Sequence, residues 1–139
     1  MESHIIRKFE AYKKPILDMV VWNGHLFTAS GDCTVKEWSS SGKCVRTLTP
    51  YSMSVWYLCV WRNHLYTASI DNTMKVWNEL GNCVQVLQTG EQWVEALLVW
   101  KNSLISISEW KIHVWNESGQ CINTLKTGIF FSKKKGFHS

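Results

Sequence analysis

The sequence predicts an all-β protein built from three copies of one four-stranded unit. The first observation is a repeat: Trp22, Trp61 and Trp100 stand 39 residues apart. The second is a series of short apolar or alternating runs separated by turn residues, mainly glycine, asparagine and aspartate. A fixed period near 40 residues indicates one supersecondary unit stacked on copies of itself. Such units usually present surfaces for binding, so the repeat favours recognition over catalysis.

The second copy, residues 54–87, shows the predicted strand pattern in full. An apolar run over 55–60 ends at a turn, and strands over 65–68, 73–77 and 83–87 follow with a turn between each pair. Strands of four to six residues separated by Gly, Asn and Asp turns are typical of antiparallel meanders. No segment shows the period of a helix of any length.

Two further copies flank this one. The first spans residues 15–48 and the third spans 93–125. Ahead of them, residues 1–14 are predicted to hold an orphan fourth strand at 5–9, without the three strands that precede it in the other copies, and then a linker. The last segment, 126–139, fits no copy and is predicted to be a basic, disordered tail.

Composition places the chain among globular proteins and argues against two classes of partner. Hydrophobic residues make up 45% of the chain, which is enough for one core. Four lysines in 126–139 account for the net charge of +4, since the remainder holds 11 basic and 11 acidic residues. A nucleic-acid binder usually shows a basic face, so nucleic acid is not the expected partner. No apolar run has the length of a membrane span or the form of a signal peptide.

Cysteine usage predicts a reducing compartment. The five cysteines are an odd number without a CxxC motif, and Cys44, Cys83 and Cys121 recur at one position of the repeat. Equivalent positions in adjacent copies usually fill the same packing slot, so we expect these thiols to be small buried hydrophobes. We therefore expect a cytoplasmic protein, with the nucleus as the alternative because Lys133–Lys135 resembles a weak import patch.

Several segments resemble the WD-repeat family. Residues 26–38 look like the second and third strands of a WD-repeat blade, and 65–77 match more closely still. The segments 42–48 and 119–125 resemble the fourth strand and its preceding turn, and the likeness covers roughly 5–125. This resemblance implies a β-propeller, in which four-stranded blades surround a central channel.

The resemblance also implies a hydrogen-bonded network inside each blade. In the family, a Ser or Thr on the second strand and an Asp in the next turn are joined to a Trp on the third strand. A buried indole N–H needs an acceptor and a buried carboxylate needs donors, which gives this network its physical basis. The matching residues are Thr28, Asp32 and Trp38 in the first copy, Thr67, Asp71 and Trp77 in the second, and Ser106 and Trp115 in the third.

Three departures from the family pattern stand out. The family's Gly-His pair before the first strand is absent, and His25 and His64 lie in a different turn. The third copy lacks the turn aspartate. Glu37 occupies the slot that Val76 and Val114 fill in the other copies, where a buried apolar residue is expected.

Three blades do not close a propeller, because known rings need about four to eight. The chain is therefore predicted to be an incomplete propeller. Three explanations stay open: the chain is part of a longer protein or a truncated product, two chains combine into one ring, or the domain is open and marginal.

Candidate partner-binding residues are those that differ between the copies. A feature shared by every copy normally serves the stack, so the first-strand tryptophans at 22, 61 and 100 are expected to pack over neighbouring blades. Large or charged residues that only one copy carries are better candidates for binding a partner when they lie near the start of the first strand or, as for Ile70, on the same rim just before the turn aspartate. The rival interpretation is that they cover an exposed blade edge. These residues are Tyr51, Trp56, Ile70, Trp93 and Glu95.

The predicted function is a non-catalytic scaffold or adaptor that binds other proteins. No catalytic motif or cofactor motif is present. His113 lies at a different kind of position from His25 and His64, and no carboxylate or Cys partner recurs with the three histidines at the spacing of metal ligands. One alternative is the substrate-recognition portion of a ubiquitin ligase or kinase, since the blades are similar to propellers of F-box and TRAF-type ligases and amoebal kinases. A second is nucleic-acid association through the lysine tail. Expected partners are other proteins, a second copy of the chain, or missing blades that close the ring.

Overall fold

The computed structural model describes residues 14–48, 54–90, 93–108 and 111–126. The predicted orphan strand, Tyr51 and the tail beyond Lys126 lie outside these residues. The described segments form twelve β-strands and no helix, and hence no helix that could cross a membrane. The strands are β1 (Ile16–Trp22), β2 (His25–Ser30), β3 (Val35–Trp38), β4 (Cys44–Leu48), β5 (Val55–Trp61), β6 (His64–Ser69), β7 (Thr73–Trp77), β8 (Cys83–Gln88), β9 (Ala96–Trp100), β10 (Ser103–Ser108), β11 (Lys111–Trp115) and β12 (Cys121–Lys126).

The strands form three separate four-stranded sheets. Strands β1 to β4 make blade 1, β5 to β8 make blade 2 and β9 to β12 make blade 3, each in sequential order. Every neighbouring pair is antiparallel. The predicted all-β fold of three four-stranded antiparallel units is confirmed.

A two-residue turn joins the first two strands of every blade. Both residues of each turn have positive φ, between 48° and 76°, which is the backbone of a type I′ hairpin turn. This turn matches the twist of the flanking strands and sets their register, so that Trp22 pairs with His25 and Trp61 with His64. The three turns are Asn23–Gly24, Arg62–Asn63 and Lys101–Asn102.

A second repeated turn joins the third and fourth strands. Gly81 and Gly119 hold φ values of +85° and +82° there. A Cβ on Gly81 would lie 2.5 Å from the Arg46 guanidinium of blade 1, and one on Gly119 would overlap the Gln85 side chain of blade 2. Glycine is therefore favoured by its positive φ, whereas the close approach involves side-chain atoms of the preceding blade that could move aside.

The apolar core lies between blades. One cluster joins blades 1 and 2 and a second joins blades 2 and 3. Adjacent blades therefore bury the surfaces that face each other, as in other repeat architectures. The first cluster comprises Trp22, Phe27, Ala29, Val35 and Leu48 from blade 1 with Val55, Leu58, Leu65 and Trp77 from blade 2. The second comprises Cys59, Trp61, Tyr66, Ala68, Met74, Val76 and Leu87 from blade 2 with Val94, Leu104 and Trp115 from blade 3.

The prediction of burial for the repeated cysteines is wrong. Cys44, Cys83 and Cys121 are all exposed, because they begin the outermost strand of each blade. Each thiol instead lies 3.3–3.5 Å from the carbonyl oxygen two residues further along its strand. The buried thiol is that of Cys59 on β5, where burial and then the Asp18 charge raise the pKa to about 11.

Candidate functional site

Each third-strand tryptophan makes the same kind of buried hydrogen bond. Each indole Nε1 donates to a hydroxyl oxygen on the adjacent second strand, and the indoles are only 4–7% exposed. The bond therefore satisfies the indole N–H inside the blade. Its length is 2.9 Å from Trp38 to Thr28, 3.0 Å from Trp77 to Thr67 and 2.9 Å from Trp115 to Ser106.

The turn aspartates bind within their own turns. Asp32 Oδ1 accepts from the backbone nitrogen of Thr34 at 3.0 Å and from its hydroxyl at 2.6 Å. Asp71 makes the equivalent bonds to Thr73 in blade 2, at 3.1 Å and 2.6 Å. The residues that the resemblance groups into one network thus form a Trp–hydroxyl bond and an aspartate-centred turn.

The first-strand tryptophans link successive blades. Trp22 Nε1 donates to Asn63 Oδ1 of blade 2 at 3.4 Å, and Trp61 Nε1 donates to the Asn102 carbonyl of blade 3 at 3.3 Å. These two indoles are 3% and 4% exposed, as expected for packing over a neighbouring blade. Trp100, at the equivalent position of blade 3, is 61% exposed.

Glu37 brings charge into the junction between blades 1 and 2. Its side chain is 12% exposed, and its carboxylate lies 2.6 Å from His25 Nδ1 and 2.8 Å from Arg46 Nε. Arg46 also donates to the Glu79 carbonyl of blade 2 at 3.2 Å. The residue that departs from the apolar pattern is therefore held by two basic partners, as a poorly exposed carboxylate requires.

The described partner-binding candidates lie at one end of blades 2 and 3. Trp56 follows Val55, which pairs with Ser69 just before Ile70, so both candidates lie at the same end of blade 2. Trp56 is 42% exposed and Ile70 is half-buried.

Blade 3 carries the other two candidates before β9. The Glu95 nitrogen donates to the Ile107 carbonyl at 2.6 Å, which places Glu95 at the corresponding end of blade 3. Glu95 is exposed, and Trp93 is 51% exposed. We call Trp56, Ile70, Trp93 and Glu95 the rim patch.

Two residues beside the rim patch, Tyr57 and Asp18, were not predicted from the sequence. Burial, and then the charges of Glu95 and Asp18, raise the pKa of Tyr57, so both carboxylates lie near the phenol. Asp18 Oδ2 also accepts from the Leu58 nitrogen at 2.9 Å and so joins blade 1 to blade 2. Asp18 and Tyr57 stand one period apart, and a comparison of that position between copies would have singled them out.

A thiol and an imidazole lie close together in blade 3. His113 Nδ1 lies 3.6 Å from Cys121 Sγ and 3.3 Å from the Thr124 hydroxyl, while Nε2 lies 3.3 Å from the Ser108 hydroxyl. Burial and then Lys111 lower the pKa of His113. Among the described residues, no group of three or more His, Cys, Asp or Glu side chains is arranged to hold a metal ion.

Comparisons with known proteins extend these findings. A scan against protein-family models and a search of curated proteins found no match. Among solved structures, U3-55K is 20% identical with a TM-score of 0.79, over 86% of this chain and 42% of that one. The WD40 β-propeller domain of Doa1 is 20% identical with a TM-score of 0.75, over 85% and 43%. The computationally designed Ika8 protein is 23% identical with a TM-score of 0.74, over 84% and 38%.

The chain spans about two-fifths of the length of these three structures. Its described residues form three open four-stranded antiparallel sheets, stacked through apolar clusters. The sequence resemblance is thus confirmed at the level of the fold: the chain has the architecture of WD40 β-propeller blades and forms an incomplete propeller.

Proposed function

We propose that the chain is a protein-interaction scaffold and that the rim patch is its recognition surface. WD40 propellers generally bind other proteins and are typically non-catalytic, which supports the general role. The observation that carries the assignment of the surface is the exposure of Trp56 and Trp93, at 42% and 51%.

Burial separates these two tryptophans from the repeated ones. Trp22, Trp38, Trp61, Trp77 and Trp115 are between 3% and 7% exposed, because the blade stack uses them. Trp56 and Trp93 do not recur one period away, where the residues include Leu17 and Ser54. A large aromatic side chain that stays exposed without a role in the stack is the type of residue that anchors protein interfaces.

Charge beside the rim patch favours a basic partner segment. Glu95 is exposed, and the charges of Glu95 and Asp18 both raise the pKa of Tyr57, which places the two carboxylates near the same phenol. A lysine or arginine side chain of a partner would gain from the two carboxylates and from the faces of Trp56 and Trp93. The same surface would serve the substrate-recognition portion of a ubiquitin ligase or kinase.

The test is selection of peptides from a displayed random library against the full chain. Selected peptides are expected to be enriched in Lys or Arg. Trp56→Ala and Trp93→Ala are each expected to weaken the binding of a selected synthetic peptide by about 30-fold, as for an anchor worth about 2 kcal/mol. Leu80→Ala, in the exposed turn between β7 and β8, is the matched control, since Leu80 is 78% exposed and outside the rim patch. Equal binding by folded wild type and both tryptophan variants would overturn the proposal.

A further inference from the structure

Blade 3 exposes the apolar positions that blades 1 and 2 bury against the next blade. Leu48 and Leu87 are 6% and 5% exposed, whereas their counterpart Leu125 is 50% exposed. Trp22 and Trp61 are buried in the same way, whereas Trp100 is 61% exposed. Leu98, the counterpart of the buried Cys59, is 44% exposed. We call Leu98, Trp100, Asn123 and Leu125 the trailing face.

The polar contacts between blades follow the same series. Arg46 of blade 1 donates to the Glu79 carbonyl in the last turn of blade 2, at 3.2 Å. One period later, Gln85 of blade 2 donates to the Ser118 carbonyl in the last turn of blade 3, at 2.8 Å. The next member of the donor series is Asn123, which is exposed on β12 and carries an amide of the same kind as Gln85.

Blade 1 exposes the opposite surface. Met19 and Val21 on β1 are 59% and 67% exposed. Their counterparts on β5 are Leu58, which is 5% exposed, and Val60, which is partly buried, and both pack into the cluster between blades 1 and 2. On β9, Leu97 packs against the cluster between blades 2 and 3, whereas Val99 is 40% exposed. We call Met19 and Val21 the leading face, since the equivalent residues of blade 2 pack against blade 1.

We infer that a second copy of this chain docks its leading face on the trailing face, so that blade 1 of one copy follows blade 3 of the other. The trailing and leading faces are the two halves of a contact that the chain makes at its internal junctions, where the Met19 position packs at both and the Val21 position packs at the first. Trp100 would then pack over the Asn23–Gly24 turn of the second copy, as Trp22 and Trp61 pack over the equivalent turns. Asn123 would face the carbonyl of Ser40, the counterpart of Glu79 and Ser118.

Two such contacts make a closed head-to-tail pair with six blades, which lies within the range of known propellers. Val114 supports the match, because it fills the position that Glu37 occupies in blade 1 and brings no charge into the new junction. The inference goes beyond the proposed function, since it uses none of the rim patch.

The experiment is native mass spectrometry together with sedimentation velocity on the full chain over a range of concentrations. A species at twice the chain mass of 16.1 kDa is expected, without growth to larger assemblies. Trp100→Glu on the trailing face and Val21→Glu on the leading face are each expected to raise the dissociation constant at least tenfold, because each places a charge in both copies of the contact.

Val84→Glu is the matched control for Val21→Glu. Val84 is 51% exposed on the outer strand of blade 2, where Val45 and Ile122 are exposed as well, so a blade contact does not involve this position. Circular dichroism establishes that each variant keeps its β-sheet, and Val21→Glu decides the matter if Trp100→Glu does not fold. The inference is overturned by a single-chain mass at every concentration, by a dimer that neither substitution weakens, by open-ended growth, or by association only with blades of another protein.

Discussion

The junction between blades 1 and 2 and the junction between blades 2 and 3 have the same geometry and different chemistry. Both contain a first-strand tryptophan, a fourth-strand leucine and the third-strand tryptophan of the following blade. At one position, however, the first junction places Glu37 where the second places Val76. The first therefore needs basic partners, which His25 and Arg46 supply, whereas Val76 packs directly into its cluster at 3% exposure.

The two junctions therefore keep the same strand register but differ in side chains, and the side chains that contact one another differ together. Arg46 serves two groups at once, the Glu37 carboxylate and the Glu79 carbonyl. Its counterpart Gln85 donates to the equivalent Ser118 carbonyl, and Val76, which takes the place of Glu37, offers no carboxylate. Glu37 and Arg46 therefore form a pair of opposite charges, and replacing one of them alone should lower the free energy of unfolding.

The largest expected effect comes from removing a third-strand indole. Trp77→Ala should lower the free energy of unfolding by about 3–5 kcal/mol, because it opens a cavity between blades 1 and 2 and leaves the Thr67 hydroxyl without its indole donor. Urea denaturation followed by circular dichroism measures the change. Trp56→Ala is the control on the rim patch and should cost much less; equal losses would mean that Trp56 also supports the blade stack.

Breaking the charged set in blade 1 should have the next largest effect. Glu37→Ala should lower the free energy of unfolding by about 1–2 kcal/mol, since it strands Arg46 and His25 in the junction, with a discount for their partial exposure. The double variant Glu37→Val/Arg46→Gln copies the second junction and should regain most of this loss. Denaturation of the three proteins side by side measures it. A double variant less stable than Glu37→Ala would show that the side chains of one junction cannot replace those of the other.

A smaller effect is expected at the bonds between blades. Trp22→Phe and Trp61→Phe keep an aromatic ring and remove one N–H donor each, so each should cost about 0.5–1.5 kcal/mol. Trp100→Phe should change the stability of a monomeric chain by less, because Trp100 is exposed. Thermal unfolding at low protein concentration gives the comparison. A loss at Trp100 as large as that at Trp61 would show that the indole of Trp100 has a partner within its own chain.

Sequence reasoning reached the architecture because blade register repeats in the chain. The period places the first-strand and third-strand tryptophans, the glycine before each fourth strand, and the strands themselves. The Asn23–Gly24 turn agrees with the residue preference of a type I′ hairpin, whereas Arg62 and Lys101 take positive φ values in the equivalent turns. Burial does not follow from the period, since it depends on whether another blade lies beyond. Trp61 and Trp100 hold the same position in the repeat, yet one is 4% and the other 61% exposed.

Pairings across strands were harder to predict than the blades themselves. Glu37 could be recognised as a departure, but its partners lie 12 and 9 residues away and become neighbours only through the β2–β3 and β3–β4 registers. The burial of the repeated cysteines was predicted wrongly because recurrence shows only that three positions have equivalent surroundings. Those surroundings are the outermost strand of each blade, where the cysteines are exposed.

The smallest expected effect concerns pH and compares the outer strands of blade 3 with those of the other two blades. His113 takes the position that Lys36 and Lys75 hold in blades 1 and 2, so only blade 3 carries a group there that titrates near neutrality. Burial and then the charge of Lys111 lower the pKa of His113 in the folded chain below its ordinary value of 6.5. The unfolded chain therefore binds a proton at a higher pH than the folded one does.

It follows that the contribution of neutral His113 to stability is present above pH 6.5 and is lost as the pH falls through 6.5 toward the lower pKa of the folded chain. His113→Gln removes this titration and keeps hydrogen-bonding groups near Ser108 and Thr124. Urea denaturation of both proteins at pH 7.5 and at about pH 5 should show a larger loss of stability on acidification for the wild type. An equal loss in the two proteins, or a larger one in the variant, would contradict the lowered pKa, and a histidine that stabilises blade 3 in its charged form would then be the better description.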